Sequence, residues 1–166
     1  MTISDNFIDE DSFASNSDTK APSQQSVKVY VDNAVNNNNL VATVSLSSAQ
    51  ILALNTTPIQ LVAAPGANKM IVVSVVAFYY DHNTTAYATN TTLHLRYASA
   101  ASSGITLGNF ITQTQDVIAT QTGNLFTSAP NAFINQALNI TVDTGNPTAG
   151  DGTLVVKVYY RIVDFS

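Results

Sequence analysis

"KMIVVSVVAFYY", residues 69–80, decides the fold, because it is apolar at almost every position over the length of a long strand. β-Branched and aromatic residues favour a strand, and a strand that is apolar on both faces needs a cover on each face. The opposing sheet of a sandwich supplies one cover. We expect a second subunit to supply the other, with a loop or a short helix as the alternative. The assembly residues predicted in this stretch are Met70, Ile71, Val72, Val73, Val75, Val76 and Phe78.

Alternating stretches lie on both sides of this strand. Residues 40–46, LVATVSL, and residues 153–163, TLVVKVYYRIV, place apolar side chains at every second position. That is the period of a strand with one buried face. Residues 27–31, VKVYV, have the same period. We therefore predict that they form the first strand of the domain.

Turn residues and a helical signal separate the strands. Pro65-Gly66 and residues 145–152, GNPTAGDG, have the composition of tight turns. Residues 47–54, SSAQILAL, predict one short helix with Ser47 as its N-cap. Short polar connections of this kind are typical of all-β domains.

Two later stretches are less regular. Residues 98–109, ASAASSGITLGN, predict a loop, and residues 110–122, FITQTQDVIATQT, fit two short strands ambiguously. With them the chain has roughly eight strands. We predict an all-β fold over residues 27–166, an antiparallel, jelly-roll-like β-sandwich with one short helix.

The amino-acid composition limits the kinds of site that the chain can form. The chain has 166 residues, enough for one domain with a real core. It has no cysteine, so disulfides, thiolate metal sites and cysteine nucleophiles are excluded. Charged residues make up 10% of the chain, compared with about 25% in an average globular protein. A surface of Asn, Thr, Ser and Ala favours contact with other surfaces.

Residues 1–26 have a different composition from the rest. They are polar and carry five acidic residues against Lys20 alone, and such a segment buries too little surface to fold by itself. We predict a flexible or extended acidic arm. Its apolar residues suggest a motif that docks on a partner, the alternative being a leader without a function; these residues are Phe7, Ile8 and Phe13.

Two classes of partner are not expected. The chain has six Lys and Arg in total and a net charge of −5, whereas binding to a phosphate backbone needs clustered cations. No apolar run is long enough to span a membrane, and the N-terminus lacks the basic and apolar regions of a signal peptide. We therefore expect a soluble protein that is made in the cytoplasm.

Candidate catalytic residues are isolated. His82 follows Asp81 without a nucleophile motif, and His94 and Arg96 alternate outward on the strand predicted at residues 91–97. A glycosidase pair of carboxylates would be assembled only by the fold. We interpret the acids outside the arm as turn residues; they are Asp32, Asp81, Asp116, Asp143, Asp151 and Asp164. The sequence predicts no enzyme and no cofactor.

A family resemblance extends this interpretation. It rests on three stretches: residues 46–73, LSSAQILALNTTPIQLVAAPGANKMIVV, residues 91–98, TTLHLRYA, and residues 152–164, GTLVVKVYYRIVD. Together they resemble a β-sandwich module of tailed-bacteriophage virion proteins, among them head fibres, capsid decoration proteins and tail components. The resemblance covers about residues 40–164.

The resemblance implies a homotrimeric, jelly-roll-like body that is attached to the virion through an N-terminal segment, here residues 1–26. Other virion proteins would be its partners. Two rival functions stay open. A carbohydrate-binding or receptor-binding sandwich would bind a host-surface glycan through loop aromatics such as Tyr87 or Tyr97, and a depolymerase would need a pair of carboxylates.

Overall fold

A computed structural model describes residues 7–10, 12, 14, 20–36, 40–98, 104–123 and 130–166. Contacts within the chain divide it into two units, Met1–Asn39 and Leu40–Ser166. The elements described in the first unit are β1 (Phe7–Ile8), β2 (Ala21–Pro22) and α1 (Gln24–Asn36).

The strand predicted at residues 27–31 is wrong, because these residues lie in α1. The hydroxyl of Ser23 accepts a hydrogen bond from the amide of Ser26 at 3.0 Å, as an N-cap does for the third residue of a helix. The same hydroxyl donates to the Asp9 carboxylate at 2.7 Å. Ser26 is buried, and its hydroxyl accepts from the amide of Glu10 at 2.8 Å. These contacts fix the start of α1 beside the strand pair β1–β2.

The second unit is built from strands. Its described elements are β3 Leu40–Leu46, α2 Ser48–Ile51, β4 Ile59–Val62, β5 Lys69–Asp81, β6 Leu93–Tyr97, β7 Gly104–Leu107, β8 Val117–Thr122, a 3₁₀ turn at Pro130–Ala132, β9 Leu138–Val142 and β10 Thr153–Asp164. These strands form two four-stranded sheets. The first sheet has the order β3-β10-β5-β8 and the second sheet has the order β4-β9-β6-β7.

The strand pairing is that of one long antiparallel hairpin folded over into two sheets. From its tip outward the antiparallel pairs are β6 with β7, β5 with β8, β4 with β9 and β3 with β10. The pairs alternate between the two sheets, and two further pairings, β10 with β5 and β6 with β9, complete them. This is a jelly roll. The predicted all-β antiparallel sandwich is confirmed.

The core lies between the sheets. Its buried side chains extend from Leu46 to Val158, all within the second unit. Buried tyrosines join the strands through their hydroxyls: Tyr97 donates to the carbonyl of Ile71 at 2.6 Å. Burial raises the pKa of Tyr97 to about 12, so this hydroxyl keeps its proton and its bond at ordinary pH.

The predicted helix is confirmed at α2. The Ser47 hydroxyl accepts from the Gln50 amide at 3.4 Å, and the Gln50 side chain accepts from the Ser47 amide at 2.9 Å. This reciprocal arrangement is a capping box. The turn that it starts buries Ile51 and Leu54 completely, so it closes the core at the β3–β4 corner.

Two less regular stretches differ from expectation. The loop predicted at residues 98–109 contains β7, which pairs with β6 over four positions. Residues 110–122 form only β8 within the described chain, and Phe110 and Ile111 instead insert into the core from the preceding turn. Burial of these two apolar side chains outweighs continuation of the strand.

Candidate interaction surface

The first sheet has an outer face that is formed by four strands in three rows. The pairings place Val41 beside Tyr159, Val75 and Thr122; Thr43 beside Lys157, Ala77 and Thr120; and Ser45 beside Val155, Tyr79 and Ile118. Neighbours of these residues on the same strands, such as Val156 and Phe78, are buried in the core. These twelve residues are called the apolar face below.

Large hydrophobic side chains are exposed on the apolar face. Ile118 is 74% exposed, Val41 is 51% exposed and Tyr79 is 38% exposed. Lys157 is the one charged residue of the twelve. Single exposed apolar residues are normal, but here the apolar residues are concentrated in the two outer rows of the face, on either side of a more polar central row.

At the rim of this face Asp116 joins two neighbouring segments. Its carboxylate accepts hydrogen bonds from the Tyr79 hydroxyl at 3.3 Å and from the His82 amide at 2.9 Å. Desolvation and the nearby Asp116 carboxylate raise the pKa of Tyr79. The hydroxyl therefore stays a neutral donor at the edge of the apolar face.

The outer face of the second sheet is polar. Arg96 donates two hydrogen bonds to the Asp143 carboxylate, at 2.6 and 2.5 Å. His94 lies between Asp143, at 3.2 Å, and the Thr106 hydroxyl, also at 3.2 Å. The predicted outward direction of His94 and Arg96 is confirmed, because their neighbours Leu93 and Leu95 are buried.

The ionisation of this network follows from its geometry. The hydrogen bond from Arg96 is the main cause that lowers the pKa of Asp143. Burial lowers the pKa of His94, Arg96 adds to this shift and Asp143 opposes it. The cluster is therefore an ion pair of Arg96 and Asp143 with a histidine that is readily neutral. Arg96 and Asp143 bond mainly to each other, so the cluster has little capacity to bind a substrate.

The predicted assembly residues occupy three different places. Ile71, Val76 and Phe78 are at most 1% exposed and lie in the core of a single chain, so they have no surface for a second subunit. Met70 and Val73 pack partly against that core. Val72 is half-buried and lines a small cavity of about 50 Å³ with them; Val75 alone belongs to the apolar face.

Sequence reasoning missed most of the apolar face. Val41, Tyr159 and Ile118 each come from a different strand. The alternation of each strand does show which residues lie away from the core. What the sequence lacks is the strand order that brings them together.

The predicted arm residues are only partly described. Phe7 and Ile8 form β1, which pairs in parallel with β2, and Ile8 is half-buried. Phe13 lies outside the described residues. Attachment through these residues stays a prediction.

The aromatic residues suggested for a glycan site are not accessible. Tyr87 is 2% exposed and Tyr97 is 3% exposed. The Tyr87 hydroxyl donates a hydrogen bond to the Gly152 carbonyl at 2.7 Å, so this side chain stabilises the fold. The suggestion that these two residues contact a sugar is therefore wrong.

Three of the described acids are held by bonds within the fold. Asp151 accepts hydrogen bonds from the amides of Thr84 and Thr85 at 3.0 and 2.8 Å, as a turn residue does. The shifts found for Asp143, Asp151 and Asp164 all lower the pKa, whereas a glycosidase acid needs a raised one. In the described part of the chain, no three His, Cys, Asp or Glu are grouped to hold a metal ion. No described helix is long and apolar enough to cross a membrane.

The fold places the chain in the class of jelly-roll β-sandwiches. No protein-family model matches it, and no curated protein matches it. Among solved structures, a chain of the cyanophage Pam1 capsid asymmetric unit matches with a TM-score of 0.43 and 20% identity. The match covers 74% of this chain and 85% of that chain. It is too distant to assign a function.

Proposed function

We propose that this chain is a non-enzymatic structural protein of a tailed-phage virion. Its jelly-roll body assembles as a homotrimer, and residues 1–26 attach it to other virion proteins. The apolar face carries the proposal. Seven of its twelve residues are apolar, whereas the second sheet presents an ion pair and polar side chains.

Exposure of the apolar face has a cost that assembly removes. Burial of apolar surface stabilises by about 25 cal/mol per Å², so covering Ile118, Val41 and Tyr79 contributes several kcal/mol in total, as an order of magnitude. Lys157 lies in the central row of the face, and its long aliphatic stem covers apolar neighbours while its charged end extends toward water. A second copy of the chain supplies a surface with the same composition.

The phage assignment is supported by the residues of the resemblance. Ser47, Gln50, Ile51 and Leu54 belong to the quoted stretch, and they build the capped and buried β3–β4 corner. The resemblance therefore lies in residues that determine the fold. In this proposal the protein is made in the host cytoplasm and resides in the virion.

Native mass tests the assembly. Light scattering behind size exclusion should give three times the 17.6 kDa chain mass at micromolar concentration. Ala77→Lys places a second cation beside Lys157 in the centre of the apolar face and should yield monomers. The matched control is Asn139→Lys, beside Arg96 in the centre of the second sheet, which should stay trimeric. A monomeric wild-type chain would contradict the proposal.

Particle incorporation tests the attachment. Phe7→Ser with Phe13→Ser should keep the native mass and lose incorporation into phage particles. Val27→Ser, at an exposed position of α1 beyond the arm, is the control. If the double variant enters particles normally, attachment does not depend on these side chains.

A further inference from the structure

The two edge strands of the first sheet are long and lack the residues that usually protect an edge. β3 has seven residues, LVATVSL, and β8 has six, VIATQT; neither contains a charge, a proline or a glycine. β3 pairs with β10 in unbroken register over its whole length. An edge of this kind is a template for another strand, and proteins normally protect it with charges, prolines or bulges.

The edges of the second sheet are protected. β4 and β7 have four residues each. Pro58 precedes β4, whose pairing is interrupted between Gln60 and Val62. β7 begins at Gly104. The difference between the two sheets indicates that only the edges of the first sheet are covered in the assembled protein.

We propose that copies of this chain associate edge to edge, with β3 of one copy hydrogen-bonded to β8 of the next. This inference rests on the self-assembly proposed above and adds to the apolar face a second contact, along the edges of the first sheet. Each strand of the first sheet runs antiparallel to its neighbours. In an even, four-stranded sheet β3 and β8 therefore point in opposite directions. A second copy in the same orientation continues the antiparallel pattern without interruption.

The proposed trimer favours this pairing over two-fold alternatives, because a three-membered ring needs a head-to-tail contact. Pairing of β3 with β3 about a two-fold axis leaves both β8 edges open, and a further β8–β8 contact extends the assembly into a filament. Pairing of β3 with β8 uses both edges of every copy, and this head-to-tail contact closes into a ring of three when successive copies are rotated by 120°. Their lengths of seven and six residues match. The ring leaves no unguarded edge on the first sheet.

Engineered cysteines test the contact, since the natural chain has none. Thr43 and Thr120 lie in one row at opposite edges of the sheet, three strand spacings or about 14 Å apart. A disulfide needs Cα atoms within about 7 Å, so these two positions can be linked only between copies. The full chain with Thr43→Cys and Thr120→Cys is oxidised and analysed on a non-reducing gel. Two further variants combine Thr43→Cys with Ile118→Cys or Thr122→Cys to cover a shifted register.

At least one of the three variants should form reducible covalent dimers and trimers, with the trimer as the largest species. Gln60→Cys with Thr106→Cys, at the two edges of the second sheet, is the matched control and should stay monomeric on the gel. A native trimer in which none of the three pairs cross-links would overturn the edge contact and leave the homotrimer standing. A monomeric wild-type chain in light scattering would overturn both the edge contact and the homotrimer.

Discussion

Two neighbouring tyrosines differ in whether their hydroxyls are bonded. The rings of Tyr80 and Tyr87 lie 6.2 Å apart, and both are buried. Tyr87 donates to the Gly152 carbonyl, whereas the Tyr80 hydroxyl has no hydrogen-bond partner among the described residues. Burial raises the pKa of both groups, so both keep their protons at ordinary pH.

Removal of each hydroxyl should therefore have different effects. Tyr87→Phe should lower the free energy of unfolding by about 1–2 kcal/mol, because it breaks a buried hydrogen bond. Tyr80→Phe should change it by less than about 0.5 kcal/mol or raise it, because it removes a buried and unsatisfied group. Urea denaturation of the two variants beside the wild type measures both. Equal losses would mean that the Tyr80 hydroxyl is also bonded.

Asp151 makes the stability of the folded protein depend on pH. Its carboxylate accepts four hydrogen bonds from residues 83–85. The bond from the Thr84 hydroxyl, followed by those from the amides of Thr85 and Thr84, lowers its pKa to about 2. A folded-state pKa below the unfolded value of 3.8 adds stability above that value, and this stability is lost as the pH falls towards 2.

Asp151→Asn should therefore be less stable than the wild type at about pH 6, and the difference should shrink as the pH approaches about 2. Thermal unfolding of both proteins across this range provides the measurement. A difference that is constant with pH would show that the carboxylate charge does not contribute and that only shape matters at this turn.

At the scale of elements, the cap of α2 determines one corner of the sandwich. Ser47→Ala removes the acceptor for the Gln50 amide and should lower the free energy of unfolding by about 1 kcal/mol. Ser48→Ala, one residue later and without a part in the capping box, should stay within about 0.5 kcal/mol of the wild type. Urea denaturation compares them. If the two variants are equally stable, the box does not hold the corner.

The sequence predicts β3 and β6 well, because each has one buried face and therefore a clear period of two. The strand that the sequence predicts at residues 27–31 is wrong. Val27 and Val31 are two strand periods apart, but they are also one helical turn apart, so a short apolar run fits both structures. The N-cap hydrogen bond to the Ser23 hydroxyl favours the helix. Ser23 lies four residues before the run, among other serines, where its signal is weak.

The candidate site is less predictable than the fold for a related reason. β5 is apolar on both faces, so its period does not reveal which face is inside. Ile71 and Val75 therefore look equivalent in sequence, yet one is buried in the core and the other lies on the apolar face. The outer neighbours of Val75 come from positions more than thirty residues away, and only the strand order brings them together.

At the scale of the whole molecule, the body should fold and assemble without the first unit. Every buried hydrophobic residue of the core lies between Leu46 and Val158, and both proposed contacts, the apolar face and the edges β3 and β8, lie within residues 40–166. A chain that begins at Leu40 keeps them all. Its unfolding should be cooperative, because a single jelly-roll core remains intact.

This shortened chain should have three times its own chain mass in light scattering, as the full chain should. Its urea midpoint should equal that of the full chain, since no core residue is lost. The control is the shortened chain with Ala77→Lys, which should be monomeric. Monomers of the shortened chain beside trimers of the full chain would place assembly in the first unit. The exposed Val27 and Val31 of α1 would then become the contacts to test.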